Sequence, residues 1–173
     1  MTLLTCHFPT PLGDMLAIAS PRGLCLLEFI GQKGVERERA QVESARGGAA
    51  RVGISPVLAQ TRDEMAAYFA GRLQRFTVAL DLVGTPFQLR VWRALLDIPF
   101  GQTWSYAQEA AHIGQASAVR AVAAANGANK ISIVVPCHRV IGSNGMLTGY
   151  GGGLARKEAL LALEGAQSQE QRS

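Results

Sequence analysis

Cysteine is scarce in this chain. Cys6, Cys25 and Cys137 are the only three in 173 residues, too few and too scattered for a disulfide framework, and none forms a CxxC pair with metal-ligand spacing. Structural disulfides and zinc clusters are therefore not expected. Charged residues are sparse at 17% against 48% apolar, which excludes compositional disorder and leaves enough apolar surface for a sizeable core. Long hydrophobic runs are missing too, since none approaches the roughly 18 residues of a membrane helix. The stretch from Met1 to Pro11 lacks the basic start and apolar core of a signal peptide. The expectation is a cytoplasmic chain of one or two small domains, with no membrane association.

The charge that is present is unevenly placed. There are 9 basic and 8 acidic residues in 1–85, but 8 and 5 in 86–173, so most of the net +4 sits in the second half. An anionic partner would be sought there, although so small a surplus does not by itself demand nucleic acid.

Turn residues divide the first half. Pro11-Leu12-Gly13 separates Thr2–Phe8 from Met15–Ile18, and Pro21-Arg22-Gly23 separates that run from Leu24–Phe29, the pattern of a short antiparallel meander. Residues 31–53 are polar and Gly-punctuated, a loop with room for one exposed helix. Ser55-Pro56 opens a helix whose apolar spacing, Leu58, Met65 and Phe69, ends near Gly71, and Phe76, Val78, Leu80 and Leu82 alternate as a further strand would. A domain boundary is expected at Gly84.

Beyond it the pattern becomes helical. Thr85-Pro86 caps a stripe of Phe87, Val91, Leu95 and Ile98. Ser105, with Gln108 three residues later, has capping-box spacing and starts a second helix that ends at Gly114. An alanine-rich third helix over 117–125 follows after a turn of a few residues. That is a helix-turn-helix pattern, which serves DNA binding or plain helix packing equally well. The apolar run Ile131–Val135 reads as a buried strand and leads directly into Pro136-Cys137-His138-Arg139-Val140. A glycine-rich loop and a last helix, from Leu154 to about Leu163, complete the domain. The fold class is α+β. An N-terminal α/β domain with a small antiparallel sheet spans 1–84. A mostly helical domain with a helix-turn-helix and a short strand before the cysteine spans 85–165, and 166–173 is read as a flexible tail.

Cysteine attacks as the thiolate, and at a free-thiol pKa near 8.5 only about 3% is ionised at pH 7. A neighbouring base can raise that fraction about 30-fold at most, so substrate positioning must supply the remaining acceleration. His138 is the adjacent base, and a bridging water would relieve the geometry of sequence neighbours. Burying His138 and Arg139 beside an apolar run is costly unless they have partners or a task. Cys6 and Cys25 are read as structural.

The segment Pro136–Val140 is preceded by Asn129, eight residues before the cysteine. It is followed by Gly149-Tyr150 and the helix end at Leu161–Gly165. In this order these residues resemble the O6-alkylguanine-DNA alkyltransferase family. The resemblance covers residues 86–165; the N-terminal half shares only Pro11-Leu12-Gly13 and the hairpin after it. It implies a protein that binds double-stranded DNA in the minor groove, flips an alkylated guanine, or an O4-alkylthymine, into a pocket, and moves the alkyl group irreversibly onto Cys137. No cofactor, no metal and no obligate protein partner are implied, and a monomer is expected.

Carried over by residue, the resemblance makes Cys137 the alkyl acceptor and His138 its activator through water, with Glu164 on the far side of the imidazole. Asn129 ties the helix-turn-helix to the active-site segment, and Tyr106 crowds the phosphate and assists protonation of the departing guanine. Tyr150, Gly151, Val140 and Asn126 belong to the substrate pocket, with the Gly151 amide donating to O6 and the carbonyls of Cys137 and Val140 accepting from the exocyclic amine. Arg120 fills the gap left by the flipped base, on a helix whose Ala118, Ala121 and Ala123 permit close approach to DNA. Some members have serine where Gly151 stands, so a hydroxyl contact is absent here. Two other readings compete: a sensor that binds alkylated DNA without chemistry, and a cysteine-dependent hydrolase. Cys137 argues against the first, and the second leaves Arg120 and the helix-turn-helix unexplained.

Overall fold

The computed structural model describes residues 2–166. Their contacts gather into two units that meet at Val83 and Gly84. In the first, β1 (Leu4–Phe8), β2 (Met15–Ser20) and β3 (Gly23–Phe29) form the expected antiparallel meander. Gly13, at φ 128°, supplies the left-handed backbone that the first turn requires. Helices α1 (Val35–Ala45) and α2 (Pro56–Phe69) pack on the sheet, which accounts for β3 being buried along its whole length. The Ser55 hydroxyl accepts from the Leu58 amide and caps α2.

Two details differ from the sequence reading. A short β4 (Arg51–Val52) lies parallel to β1, giving the order β3-β2-β1-β4. The alternating run Phe76–Leu82 makes only one bridge, Leu24 to Leu80. Two backbone bonds to Leu24 hold it there, from Leu24 N to the Ala79 carbonyl and from Asp81 N to the Leu24 carbonyl, each at 2.8 Å, and side chains add to them: Asp81 accepts from Ser20 Oγ at 2.6 Å and pairs with Arg46 at 2.8 Å. Gly23 permits this approach, because a Cβ there would stand 2.7 Å from the Ala79 carbonyl oxygen.

The second unit contains α3 (Pro86–Leu95), β5 (Trp104–Ser105), α4 (Tyr106–His112), α5 (Val119–Gly127), β6 (Val140–Ile141) and α6 (Leu154–Leu163). Both expected N-terminal caps are present. Thr85 and Gln88 form one reciprocal capping box, and Ser105 and Gln108 form the other. Helices α4 and α5 make the helix-turn-helix. Trp92 of α3 braces it by donating from Nε1 to the Ala125 carbonyl at 2.8 Å, with the Lys130 ammonium over its ring. Helix α5 begins at Val119, slightly later than the sequence suggests, with Ala118 at the cap position making no side-chain cap bond.

The expected strand before the cysteine does not form. Residues 131–135 are buried, but they run through a tight turn with Ile133 at φ 72°, and the short strand β6 follows the cysteine, pairing in parallel with β5. A β-branched residue in the left-handed region costs on the order of 1–3 kcal/mol, so something must hold this turn in place. Asn129 does so. Its side chain accepts from the Ile131 amide at 2.9 Å and donates to the Val135 carbonyl at 2.9 Å. Apart from Ala166, the expected tail lies outside the described residues.

Candidate active site

The Asn129 turn delivers Cys137 to the first position of a single 3-10 turn, Cys137–Arg139, where the residue is half-buried. Asn129 Nδ2 also lies 3.3 Å from Cys137 Sγ, so the amide that shapes the turn donates toward the sulfur. Cys137 lines a cavity of about 540 Å3, within the roughly 300–1,000 Å3 of small-molecule sites. The other walls are Tyr106, Ala123, Asn126, Gly127 and the loop Thr148–Gly151.

Behind the cysteine the polar groups are dry and paired. His138 is fully buried, with Nε2 2.7 Å from Glu164 Oε2. Arg139 closes the other side of the same carboxylate, donating from Nε to Oε1 at 2.8 Å and from an Nη to Oε2 at 3.1 Å. Its remaining Nη donates to the Ile98 carbonyl at 2.7 Å. Burial works to raise the Glu164 carboxyl pKa, but the His138 and Arg139 hydrogen bonds overcome it and hold it down to about 2. For His138, burial outweighs the upward pull of Glu164 and favours the neutral ring. A neutral imidazole that donates from Nε2 to a carboxylate carries its lone pair on Nδ1. That atom is buried and has no hydrogen-bond partner among the described residues.

Lys157 is a site residue that sequence reasoning missed. It is fully buried on α6, and its ammonium donates to the carbonyls of Val140 and Thr148, each at 2.6 Å. Burial depresses it to about 8, and the Cys137 charge works in the opposite direction, so sulfur and ammonium sense one another. A signal was available. Lys157, Leu160, Leu161 and Glu164 recur at i, i+3, i+4 and i+7, so both charged residues lie on the buried stripe of α6. Arg139 was visible in the motif, but its role as clamp on Glu164 was not.

The other expected residues separate into groups. Tyr106, Asn126, Tyr150 and Gly151 are brought to the cavity, as is Ala123. The Tyr106 hydroxyl, with burial raising its pKa, lies 3.5 Å from the Thr148 carbonyl and stays protonated at neutral pH. Val140 is buried and is not a wall of the cavity; one acceptor site of its carbonyl is taken by Lys157. Arg120 and Ala121 stand exposed on α5, outside the cavity, with Ala118 half-buried at its start. Among the described residues no helix is long and apolar enough to cross a membrane.

Fold and site together define a helix-turn-helix domain that places a half-buried cysteine on a cavity wall, next to a buried histidine–carboxylate pair. Residues 86–166 match the DNA binding domain of 6-O-methylguanine DNA methyltransferase, and residues 5–82 match its ribonuclease-like domain. A methylated-DNA–protein-cysteine methyltransferase of Mycobacterium tuberculosis is 63% identical over 102 residues, which spans 59% of this chain and 62% of that protein. One from Methanosarcina acetivorans is 43% identical over 160 residues, spanning 92% of this chain and 96% of its own length. The crystal structure of Mycobacterium tuberculosis O6-methylguanine methyltransferase matches with a TM-score of 0.80 at 42% identity, covering 96% of this chain and 95% of that one. That of Mycobacterium tuberculosis OGT in complex with DNA gives 0.79 at 43% identity, covering 95% and 93%. The chain belongs to the O6-methylguanine-DNA methyltransferase family.

Proposed function

We propose that this chain repairs O6-alkylguanine in double-stranded DNA by moving the alkyl group onto Cys137, once per molecule. The observation that carries the reading is the placement of Cys137 on a cavity wall, directly before a buried imidazole bonded to Glu164. In this mechanism water relays the thiol proton to His138 Nδ1, and Glu164 stabilises the imidazolium that forms. The thiolate attacks the alkyl carbon in line with the bond to O6. A carbon–sulfur bond forms, the carbon–oxygen bond breaks, and its electron pair leaves with the guanine, which takes a proton from the Tyr106 side of the cavity. A thioether is a poor leaving group, so the protein is consumed.

Guanine is distinguished by paired groups in the pocket: the Gly151 amide toward O6, and the Cys137 carbonyl toward the exocyclic amine. Tyr150 and Asn126 are walls. The relative solved in complex with DNA supports DNA as the partner of this chain too. Arg120, exposed at the start of α5, takes the place of the extruded base, and Ala118, Ala121 and Ala123 let the helix approach the groove. The chain acts as a monomer.

Stoichiometry tests the reading. With a duplex bearing O6-methylguanine in excess, repaired guanine is expected to stop at one equivalent per protein; continued turnover would refute single use. Arg120→Ala is expected to slow repair in duplex roughly tenfold, equivalent to a few kcal/mol of extrusion cost partly restored. Transfer from free O6-benzylguanine should be unchanged, and equal losses on both substrates would remove the extrusion role. Duplex affinity is expected to fall as salt rises, because phosphate contacts release counterions.

A further inference from the structure

One buried acid near the cavity takes no part in this mechanism. Glu109, on α4, is fully buried, and Asn126 of α5 donates to its Oε1 from Nδ2 at 2.7 Å. The remaining oxygen of each group, Glu109 Oε2 and Asn126 Oδ1, is buried and has no hydrogen-bond partner among the described residues. Two unsatisfied acceptors on two groups already in contact are costly, since each buried orphan costs on the order of 1–3 kcal/mol. A single proton on Oε2 would satisfy both, because a carboxylic acid and a carboxamide can pair through two hydrogen bonds, O–H to the amide oxygen and N–H to the acid oxygen.

We propose that Glu109 is a positioning residue for the substrate cavity: as the neutral acid it grips the Asn126 carboxamide by two hydrogen bonds and fixes that part of the wall, and ionisation releases it. The cavity's role rests on the alkyl-transfer reading above; the pairing itself does not. Burial raises the Glu109 carboxyl to about 7, against the opposing effects of the Asn126 hydrogen bond and the His112 charge. The grip is therefore full in mild acid and lost as pH rises through neutrality. When Oε2 is ionised, negative charge faces the Asn126 carbonyl oxygen, and the carboxamide must turn or move away.

The other groups around Glu109 are few. On α4 itself, Tyr106 feels its charge, and His112 is bonded to Asp97 at 2.9 Å. From α5 the facing group is Asn126, with Arg120 exposed; from α3, Arg90 and Arg93 are exposed, and Arg90 is bonded to the Ile113 carbonyl. The strands β5 and β6 bring no charged residue.

The test follows the Asn126 side-chain amide resonances and the Glu109 carboxyl carbon by NMR in the full chain between pH 5.5 and 8.5. Both are expected to titrate together with a midpoint near 7. In Glu109→Gln the Asn126 titration should vanish, because an amide–amide pair needs no proton, while in His112→Gln it should persist, which separates it from the neighbouring imidazole. In parallel, the single-turnover rate with O6-benzylguanine is compared between wild type and Glu109→Gln. The ratio should fall by up to about tenfold between pH 6 and pH 8. A carboxyl midpoint in the ordinary range below 5, or an Asn126 titration that survives Glu109→Gln, would overturn the pairing. A flat rate ratio alongside coupled titrations would overturn the effect on the cavity. If neither protein accepts an alkyl group, the alkyl-transfer reading fails, while the resonances still decide the pairing. The wild-type carboxyl titration decides it even if the variant does not fold.

Discussion

Replacing Glu164 with glutamine is expected to destabilise the second unit by about 3–5 kcal/mol, the typical cost of breaking a buried ion pair from one side. In a unit of this size that is a loss of roughly 12–40 °C in melting temperature, read by calorimetry or circular dichroism. The carboxylate serves both His138 and Arg139 at once, and its removal leaves a buried guanidinium without its counter-charge. Alkyl transfer should fall as well, because the imidazole loses the group that orients it. The wild-type pH dependence carries the same signature. Glu164 titrates at about 2 in the folded chain against an ordinary 4.5, so its contribution is fully present above about pH 4.5 and disappears as pH falls toward 2. That shift corresponds to roughly 3 kcal/mol, and the acid-side slope should flatten in Glu164→Gln. A variant with unchanged melting and an unchanged acid limb would show that the pair carries no such load.

Lys157→Met is expected to have the next largest effect, and for a different reason. The variant keeps the aliphatic bulk on α6 but strips two carbonyls, those of Val140 and Thr148, of their donor. The first leads away from Cys137 and the second into the cavity loop, so the loop loosens where substrate would sit. The ammonium is also the cation that senses the Cys137 charge. Its loss should slow alkylation of Cys137 by iodoacetamide at pH 7 as well as transfer from O6-benzylguanine, each by about 10-fold or more, a change of roughly 1.4 kcal/mol. Removing the donor from the buried Val140 carbonyl adds a stability loss of about 1–3 kcal/mol, while the Thr148 carbonyl keeps the Tyr106 hydroxyl. Lys157→Arg keeps the charge and a donor and should recover part of the rate. If Lys157→Met reacts as fast as wild type, neither the charge nor the tether matters to the sulfur.

Much of this molecule can be read from local chemistry. Ser55, Thr85 and Ser105 announce their helices because a hydroxyl at a helix start satisfies a free amide, and that requirement is independent of the rest of the fold. His138 and Glu164 meet as the family resemblance implied, because α6 returns its buried face to the segment after Cys137; Glu164 read alone looks like a solvated residue in the last helical turn. What was hidden depends on partners far away in sequence. Residues 131–135 have the composition of a strand, and only the Asn129 side chain, supplying the bonds a neighbouring strand would give, bends them into a turn. Phe76–Leu82 alternates like a strand, but it meets β3 only at Leu24, and the Asp81 side chain fastens it to Ser20 and Arg46. Lys157 and Glu109 look like solvated helix residues until tertiary packing buries them. Polar residues on an otherwise apolar stripe are the sign of such positions, and at Lys157 that sign was in the sequence.

The central claim is that Cys137 itself receives the alkyl group and keeps it. The most direct measurement incubates the protein with a duplex bearing one O6-methylguanine, digests it with trypsin, and weighs the peptide of residues 131–139. The account predicts one added methyl on that peptide, in an amount equal to the methylguanine lost from the DNA, with the peptides carrying Cys6 and Cys25 unchanged. Unmodified Cys137 in a sample whose DNA has been repaired would contradict it.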